Sequence, residues 1–120
     1  MGAPAFELFF AEKLVDVGKP AQAEEHIARV RKLGLIASTG GHYLRLANVI
    51  ECKMHLKNDK PEKALSRVNS FIVEDGEQND YIFMRAKIFL ALDDKVRAKA
   101  DLEKLIAAGY EPAKELYKGL

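Results

Sequence analysis

Apolar side chains recur at three- and four-residue spacing along nearly the whole chain, as they do on one face of an amphipathic helix. Phe6, Phe9, Phe10, Leu14 and Val17 form the first such stripe. No stretch alternates apolar and polar residues for long, so β-structure is not expected. The pattern predicts an all-α fold of about seven helices, at residues 4–17, 21–33, 43–57, 61–73, 79–92, 95–107 and 112–119.

Turn-forming residues separate these stripes. Gly18-Lys19-Pro20 and Asn58-Asp59-Lys60-Pro61 each predict a helix end followed by a new helix whose first turn contains the proline. Asp93-Asp94 can serve the same purpose, because an aspartate side chain accepts hydrogen bonds from the free N–H groups of a helix start. Residues 38–41, Ser-Thr-Gly-Gly, predict the one flexible interior loop.

The chain resembles itself when it is compared with a shifted copy. This comparison indicates three repeats. The second and third align without a gap and pair identical residues: Lys53 with Lys87, Leu56 with Leu90, Asp59 with Asp93, Ala64 with Ala98, and Ile72 with Ile106. Lys19-Pro20 superimposes on Lys60-Pro61 only at a longer offset. The first repeat is therefore longer by about seven positions, which fit at 36–42.

This pattern resembles the tetratricopeptide repeat, a helix–turn–helix unit of about 34 residues. Small residues stand where the two helices of each unit would cross: Ala11, Cys52 and Ala86 in the first helices, and Ala23, Ala64 and Ala98 in the second. The early bulky position of the first helix departs from the family at Glu7 and Asn48. The closing proline is absent too, with Leu35, Gly76 and Tyr110 in its place.

The resemblance implies a right-handed superhelix of antiparallel helix pairs, a tetratricopeptide-like α-solenoid forming a single domain over residues 1–120. The expected pairs are 4–33, 43–73 and 79–107. Residues 112–119 would form a capping helix that covers the last pair with Leu116 and Tyr117. The phenylalanine-rich first helix has no such cap, which suggests either that the chain is a fragment of a larger protein or that this face self-associates.

Composition excludes several classes of function. The net charge of +1 over 120 residues argues against binding to nucleic acid or to an anionic membrane. A single cysteine, Cys52, cannot form an internal disulfide, and no apolar run approaches the ~20 residues that span a bilayer. A cytoplasmic setting is the default expectation.

Residues suited to catalysis or to metal binding are few. Cys52 and His55 lie three residues apart, as a thiol beside a base would, but both fall at positions where the repeat requires core residues. A metal site formed by Cys52, His55 and His42 has no recognised ligand spacing. We therefore expect a non-catalytic protein without cofactor or metal.

The resemblance implies a scaffold or adaptor whose concave groove, lined by the first helix of each repeat, binds a peptide or helix of a partner protein. Lys53 and Lys87 occupy equivalent repeat positions and would form a basic track, so the expected partner carries acidic and apolar side chains. The alternative is a structural homo-oligomeric module that docks through Phe6, Phe9 and Phe10. The groove residues predicted are Leu8, Glu12, Leu46, Val49, Lys53, Lys57, Phe83, Lys87 and Leu90.

Overall fold

The computed structural model describes residues 4–34 and 40–120, and within those ranges it contains seven α-helices and no β-strand. The helices are α1 (Pro4–Asp16), α2 (Pro20–Gly34), α3 (Gly40–Lys57), α4 (Pro61–Asp75), α5 (Asn79–Ala91), α6 (Lys95–Ala107) and α7 (Glu111–Lys118). None of the helices in these ranges is long and apolar enough to cross a bilayer. Over these residues, the predicted all-α fold with seven helices is therefore confirmed.

Three helices begin as the turn residues predicted. Pro20 and Pro61 are the first residues of α2 and α4, where a missing N–H group leaves no hydrogen bond unmade. Asp94 caps α6, because its Oδ1 accepts a hydrogen bond from the backbone N–H of Arg97 at 3.1 Å. Local chemistry thus sets where these helices start.

One helix-ending turn recurs along the chain. Gly18, Asp59 and Asp93 have φ values of +79°, +59° and +60°, and each donates its N–H to the carbonyl three residues earlier. This left-handed conformation ends a helix, and glycine and aspartate are among the residues that adopt it most readily. Gly18 and Asp59 are as far apart in the sequence as Lys19 and Lys60, and Asp59 and Asp93 are as far apart as Lys53 and Lys87. The turns therefore repeat at the spacings at which the sequence matches itself.

The prediction of a loop at residues 38–41 is wrong for Gly40 and Gly41. Gly40 and Gly41 belong to α3, which begins three residues earlier than expected, whereas Ser38 and Thr39 lie outside the described residues. Glycine weakens a helix interior, but it is well tolerated around a helix start, where the backbone N–H groups lack helical partners in any case.

The helices are grouped in two compact units, Met1–Asp59 and Lys60–Leu120, called here the first and second unit. In the first unit α1, α2 and α3 all pack against one another. In the second, α5 packs against α4 and α6, and α6 packs against α7. The expected pair of α3 with α4 includes one helix from each unit, so that pair, the single domain and the superhelix stay predictions.

The small residues predicted at the helix crossings are all buried. Ala11, Cys52, Ala86, Ala23, Ala64 and Ala98 are each at most 1% exposed. The larger residues that follow the alanines of the second helices are buried too: Ile27, Val30, Val68, Phe71, Leu102 and Leu105. Small side chains allow the backbones to approach closely at a crossing, and the larger ones fill the space on either side.

The last helix covers the second unit in the way predicted for a cap. Ala113 is fully buried, and Leu116 and Tyr117 pack against a core cluster that includes Ile82 and Leu102. The charged residues of α7 are exposed. The amphipathic pattern of this short helix therefore predicted its packing correctly.

Candidate partner-binding surfaces

A cleft of about 240 Å³ lies between α1 and α3 in the first unit. The described residues that line it are Leu8, Phe9, Glu12, Leu46, Val49 and Ile50. Four of these six, Leu8, Glu12, Leu46 and Val49, belong to the groove predicted from the resemblance to the tetratricopeptide repeat. Helical spacing explains the grouping, because residues four apart, such as Leu8 and Glu12, lie on one face of a helix.

The lining residues differ in how they could meet a partner. Leu8 and Ile50 are buried and form the floor of the cleft, whereas Leu46 and Val49 are half-buried along its wall. Phe9 is 56% exposed. The bottom of the cleft is thus apolar, and a large exposed ring lies at its edge. Because Leu8 is buried, it can offer a partner only a small contact area at the bottom of the cleft.

Lys53, a predicted groove residue, is held by two carboxylates of α1. Its Nζ lies 2.8 Å from Oδ1 of Asp16 and 3.6 Å from Oε2 of Glu12. The hydrogen bond from Lys53 lowers the pKa of Asp16 below its ordinary value, against the opposing effect of desolvation. Partial burial by itself would lower the pKa of Lys53, but Asp16 and Glu12 outweigh it and the pKa is raised. Both groups therefore stay charged at neutral pH.

A second set of predicted residues lies on α5. Lys87 holds its Nζ 4.4 Å from the centre of the Phe83 ring, and Tyr110 contacts the same ring edge-on with centroids 5.4 Å apart. Burial, with a contribution from the charge of Asp80, raises the pKa of Tyr110. Phe83 and Leu90 are half-buried and Lys87 is exposed. This face offers an aromatic surface beside a cation.

Lys53 and Lys87 lie in different units, so their alignment into one basic track stays a prediction. Lys57, the last residue of α3, is exposed, and its place in a groove stays a prediction.

Exposed rings also occur on the face proposed for self-association. Phe9 and Phe10 are 56% and 43% exposed, and their rings meet edge-on with centroids 6.3 Å apart. Phe10 stacks on His26 of α2 at 6.0 Å. The side chain of Phe6 lies outside the described part of the chain. Two neighbouring large rings exposed on one helix make an apolar patch that a partner could cover.

Cys52 and His55 occupy the core positions that the repeat register predicts. They are 1% and 5% exposed, and Nε2 of His55 lies 3.2 Å from Oε2 of Glu51. No group of three or more histidine, cysteine, aspartate or glutamate side chains suited to a metal occurs among the described residues. His42 lies in α3, but its side chain is outside those described.

Sequence reasoning missed a polar cluster between α2 and α3. Asn48, at a position where the family has a bulky side chain, is 6% exposed and accepts a hydrogen bond from Arg31, which also pairs with Glu51. The sequence signal for this cluster was the Asn48 amide within an otherwise apolar stripe, because a buried amide requires a polar partner. The contact of Tyr110 with Phe83 was missed as well, and it had no local signal because it depends on the turn between α6 and α7.

Comparison of the chain with protein-family models, with curated proteins and with solved structures found no match in any of the three.

Proposed function

We propose that this chain is a non-catalytic protein-interaction module, a scaffold or adaptor that binds a peptide or helix of a partner protein. The observation that carries the proposal is the cleft between α1 and α3. Four of its lining residues were assigned to a binding groove from the resemblance to the tetratricopeptide repeat, and they line one largely apolar depression.

The size and chemistry of the cleft suit side chains of a peptide better than a small molecule. Its volume of about 240 Å³ is below the roughly 300–1,000 Å³ of typical small-ligand pockets. An apolar floor with half-buried walls accepts the anchoring residues of an amphipathic segment, as helix-in-groove recognition does. One or two apolar side chains of a partner would fill it.

The resemblance to the tetratricopeptide repeat supports the same surface, because the first helices of such repeats line a concave groove. The left-handed turn that recurs at Gly18, Asp59 and Asp93 and the burial of the equivalent small residues agree with that resemblance. The proposal includes, as a separate surface, the α5 face, where Phe83 and Lys87, together with Leu90, would contact a partner. An acidic side chain of the partner would meet Lys87 there.

The structure determines which variant tests this proposal. Changing Lys53 to glutamate would place three carboxylates together and damage the packing of α1 on α3, so a loss of binding would have two explanations. Val49→Glu instead puts a charge in the half-buried wall of the cleft. Val96→Glu makes the same chemical change at a position of α6 that is 81% exposed, and it serves as the matched control.

The experiment is affinity capture from the native lysate with three baits: the original chain, Val49→Glu and Val96→Glu. We expect one set of proteins to be retained by the original chain and by Val96→Glu and to be lost with Val49→Glu. Circular dichroism must show equal helicity for all three. Identical retention by all three baits would rule out the cleft as the binding surface.

The exposure of Phe9 and Phe10 favours a second candidate function, self-association through the Phe6, Phe9 and Phe10 face. It predicts a dimer whose fraction rises with concentration and which Phe9→Ser with Phe10→Ser abolishes. Light scattering over a concentration series measures this directly, and a monomer at every concentration would refute it.

A further inference from the structure

The polar wall of the α1/α3 cleft is negatively charged. Glu12 is the charged residue among the described side chains that line the cleft, and its side chain is 51% exposed. A partner residue that enters the cleft beside an apolar anchor must therefore lie close to this carboxylate. The charge that Glu12 presents to it depends on how far neighbouring cations neutralise Glu12.

Lys53 lies closer to the Asp16 carboxylate than to the Glu12 carboxylate and neutralises Asp16 more. Its Nζ hydrogen-bonds Asp16 at 2.8 Å and lies farther from Glu12, at 3.6 Å. Lys13 holds its Nζ over the Phe9 ring, 5.4 Å from the ring centre and outside the cleft lining. Glu12 thus shares its lysine with a closer carboxylate, and its half-exposed side chain is part of the cleft lining.

We propose that the segment bound in this cleft carries a lysine or arginine within one helical turn of its apolar anchor. The inference rests on the proposed function and names the chemistry of its partner. Glu12 lines the same cleft as Leu46 and Val49, so a basic side chain near an anchor that contacts these two residues would be attracted to its carboxylate, and an acidic one would be repelled. Lys53, one of the two lysines on which the expectation of an acidic partner rests, already has two carboxylate partners.

The magnitude of the preference is modest. Exposed ion pairs change affinity by only a few-fold, and reversing the charge of one partner both removes the attraction and adds repulsion. We therefore expect Glu12→Lys to weaken a basic peptide by about 3- to 10-fold, with the largest difference at low salt.

The test is selection of short random peptides displayed on phage against the immobilised full chain and four variants. Val49→Glu reports on the cleft, Glu12→Gln and Glu12→Lys on its charge, and Glu24→Lys controls for the same charge reversal at an exposed site on α2. The original chain and Glu24→Lys should enrich peptides with lysine or arginine within one helical turn of a large apolar residue. Glu12→Gln should lose that enrichment, and Glu12→Lys should select aspartate or glutamate instead.

Two kinds of failure can be told apart. Peptides that need Val49 but show no basic residue, or bind Glu12→Lys unchanged, would overturn the inference and leave the proposed function standing. If no enriched peptide depends on Val49, the proposed function fails and the inference fails with it.

Discussion

The side-chain pair that joins α5 to α6 allows a demanding test of how the second unit is packed. Arg85 donates from Nε and Nη2 to the two carboxylate oxygens of Asp101, and both distances are 2.9 Å. The side chain of Asp101 is 9% exposed and that of Arg85 is 21% exposed. The hydrogen bond to Asp101 raises the pKa of Arg85 further, against partial burial. The perturbation is removal of each partner singly and of both together, as Arg85→Met and Asp101→Leu.

The expected magnitudes follow from the burial of the group left behind. Arg85→Met leaves a nearly buried carboxylate without a counter-charge, which costs about 3–5 kcal/mol of unfolding free energy. Asp101→Leu leaves a guanidinium that water can partly reach, so we expect a smaller loss of about 2–3 kcal/mol. The double variant leaves no buried charge and should lose only about 0–2 kcal/mol. The coupling energy between the two sites is then at least about 3 kcal/mol.

Urea unfolding followed by far-ultraviolet circular dichroism gives the free energies of all four proteins by linear extrapolation. The matched control is the pair of Lys104 and Glu77, whose Nζ–Oε2 distance of 2.7 Å is as short but whose side chains are about half exposed. We expect much weaker coupling in that pair, because water competes for both charges. Coupling below about 0.5 kcal/mol between Arg85 and Asp101 would refute the buried geometry.

Three further predictions concern single residues. The pKa of Asp16 is lowered from its ordinary value of 3.8, so its contribution to stability is present above that value and lost as pH falls through the folded-state pKa; Asp16→Asn should flatten the acid-induced loss of stability, and an unchanged pH profile would contradict the pairing with Lys53. Cys52 is 1% exposed, so a thiol reagent should label it far more slowly in the native chain than in urea. Labelling of the native chain at the unfolded rate would contradict its burial. In a thermal melt, Cys52→Ala should lower the free energy of unfolding by about 1 kcal/mol. Asp94→Ala should lower the free energy of unfolding by about 1 kcal/mol through loss of the cap of α6, whereas Asp94→Asn should largely retain it; equal urea midpoints for the two variants would contradict the capping role.

Most of the secondary structure could be predicted from the sequence because its signals are local. Apolar spacing identified seven helices, and Pro20, Pro61 and Asp94 identified three of their starts. The misplaced start of α3 shows where local signals fail. Two glycines favour a turn by their intrinsic freedom, yet they cost little at a helix end.

The candidate site was predicted in part. The resemblance to the tetratricopeptide repeat predicted that Leu8, Glu12, Leu46 and Val49 share one surface. Helical periodicity keeps Leu8 with Glu12 on α1, whereas their meeting with Leu46 and Val49 depends on the packing of α1 on α3. It did not predict that Lys53 is paired with Asp16 and Glu12, because an ion pair across two helices depends on their separation and relative rotation. The edge-on contact of Phe83 with Tyr110 depends in the same way on the path of the chain after α6.

The sequence by itself determined the class of fold and the approximate helix bounds, and its resemblance to the tetratricopeptide repeat indicated which residues are buried at the helix crossings. The helix bounds follow from apolar periodicity and turn residues, which act within one or two helical turns. Only the tertiary structure decided the pairing of Lys53 with Asp16 and Glu12, the burial of Asn48 beside Arg31, and the bidentate pairing of Arg85 with Asp101. Electrostatic partners lie far apart along the chain, so their distances exist only once the helices have packed.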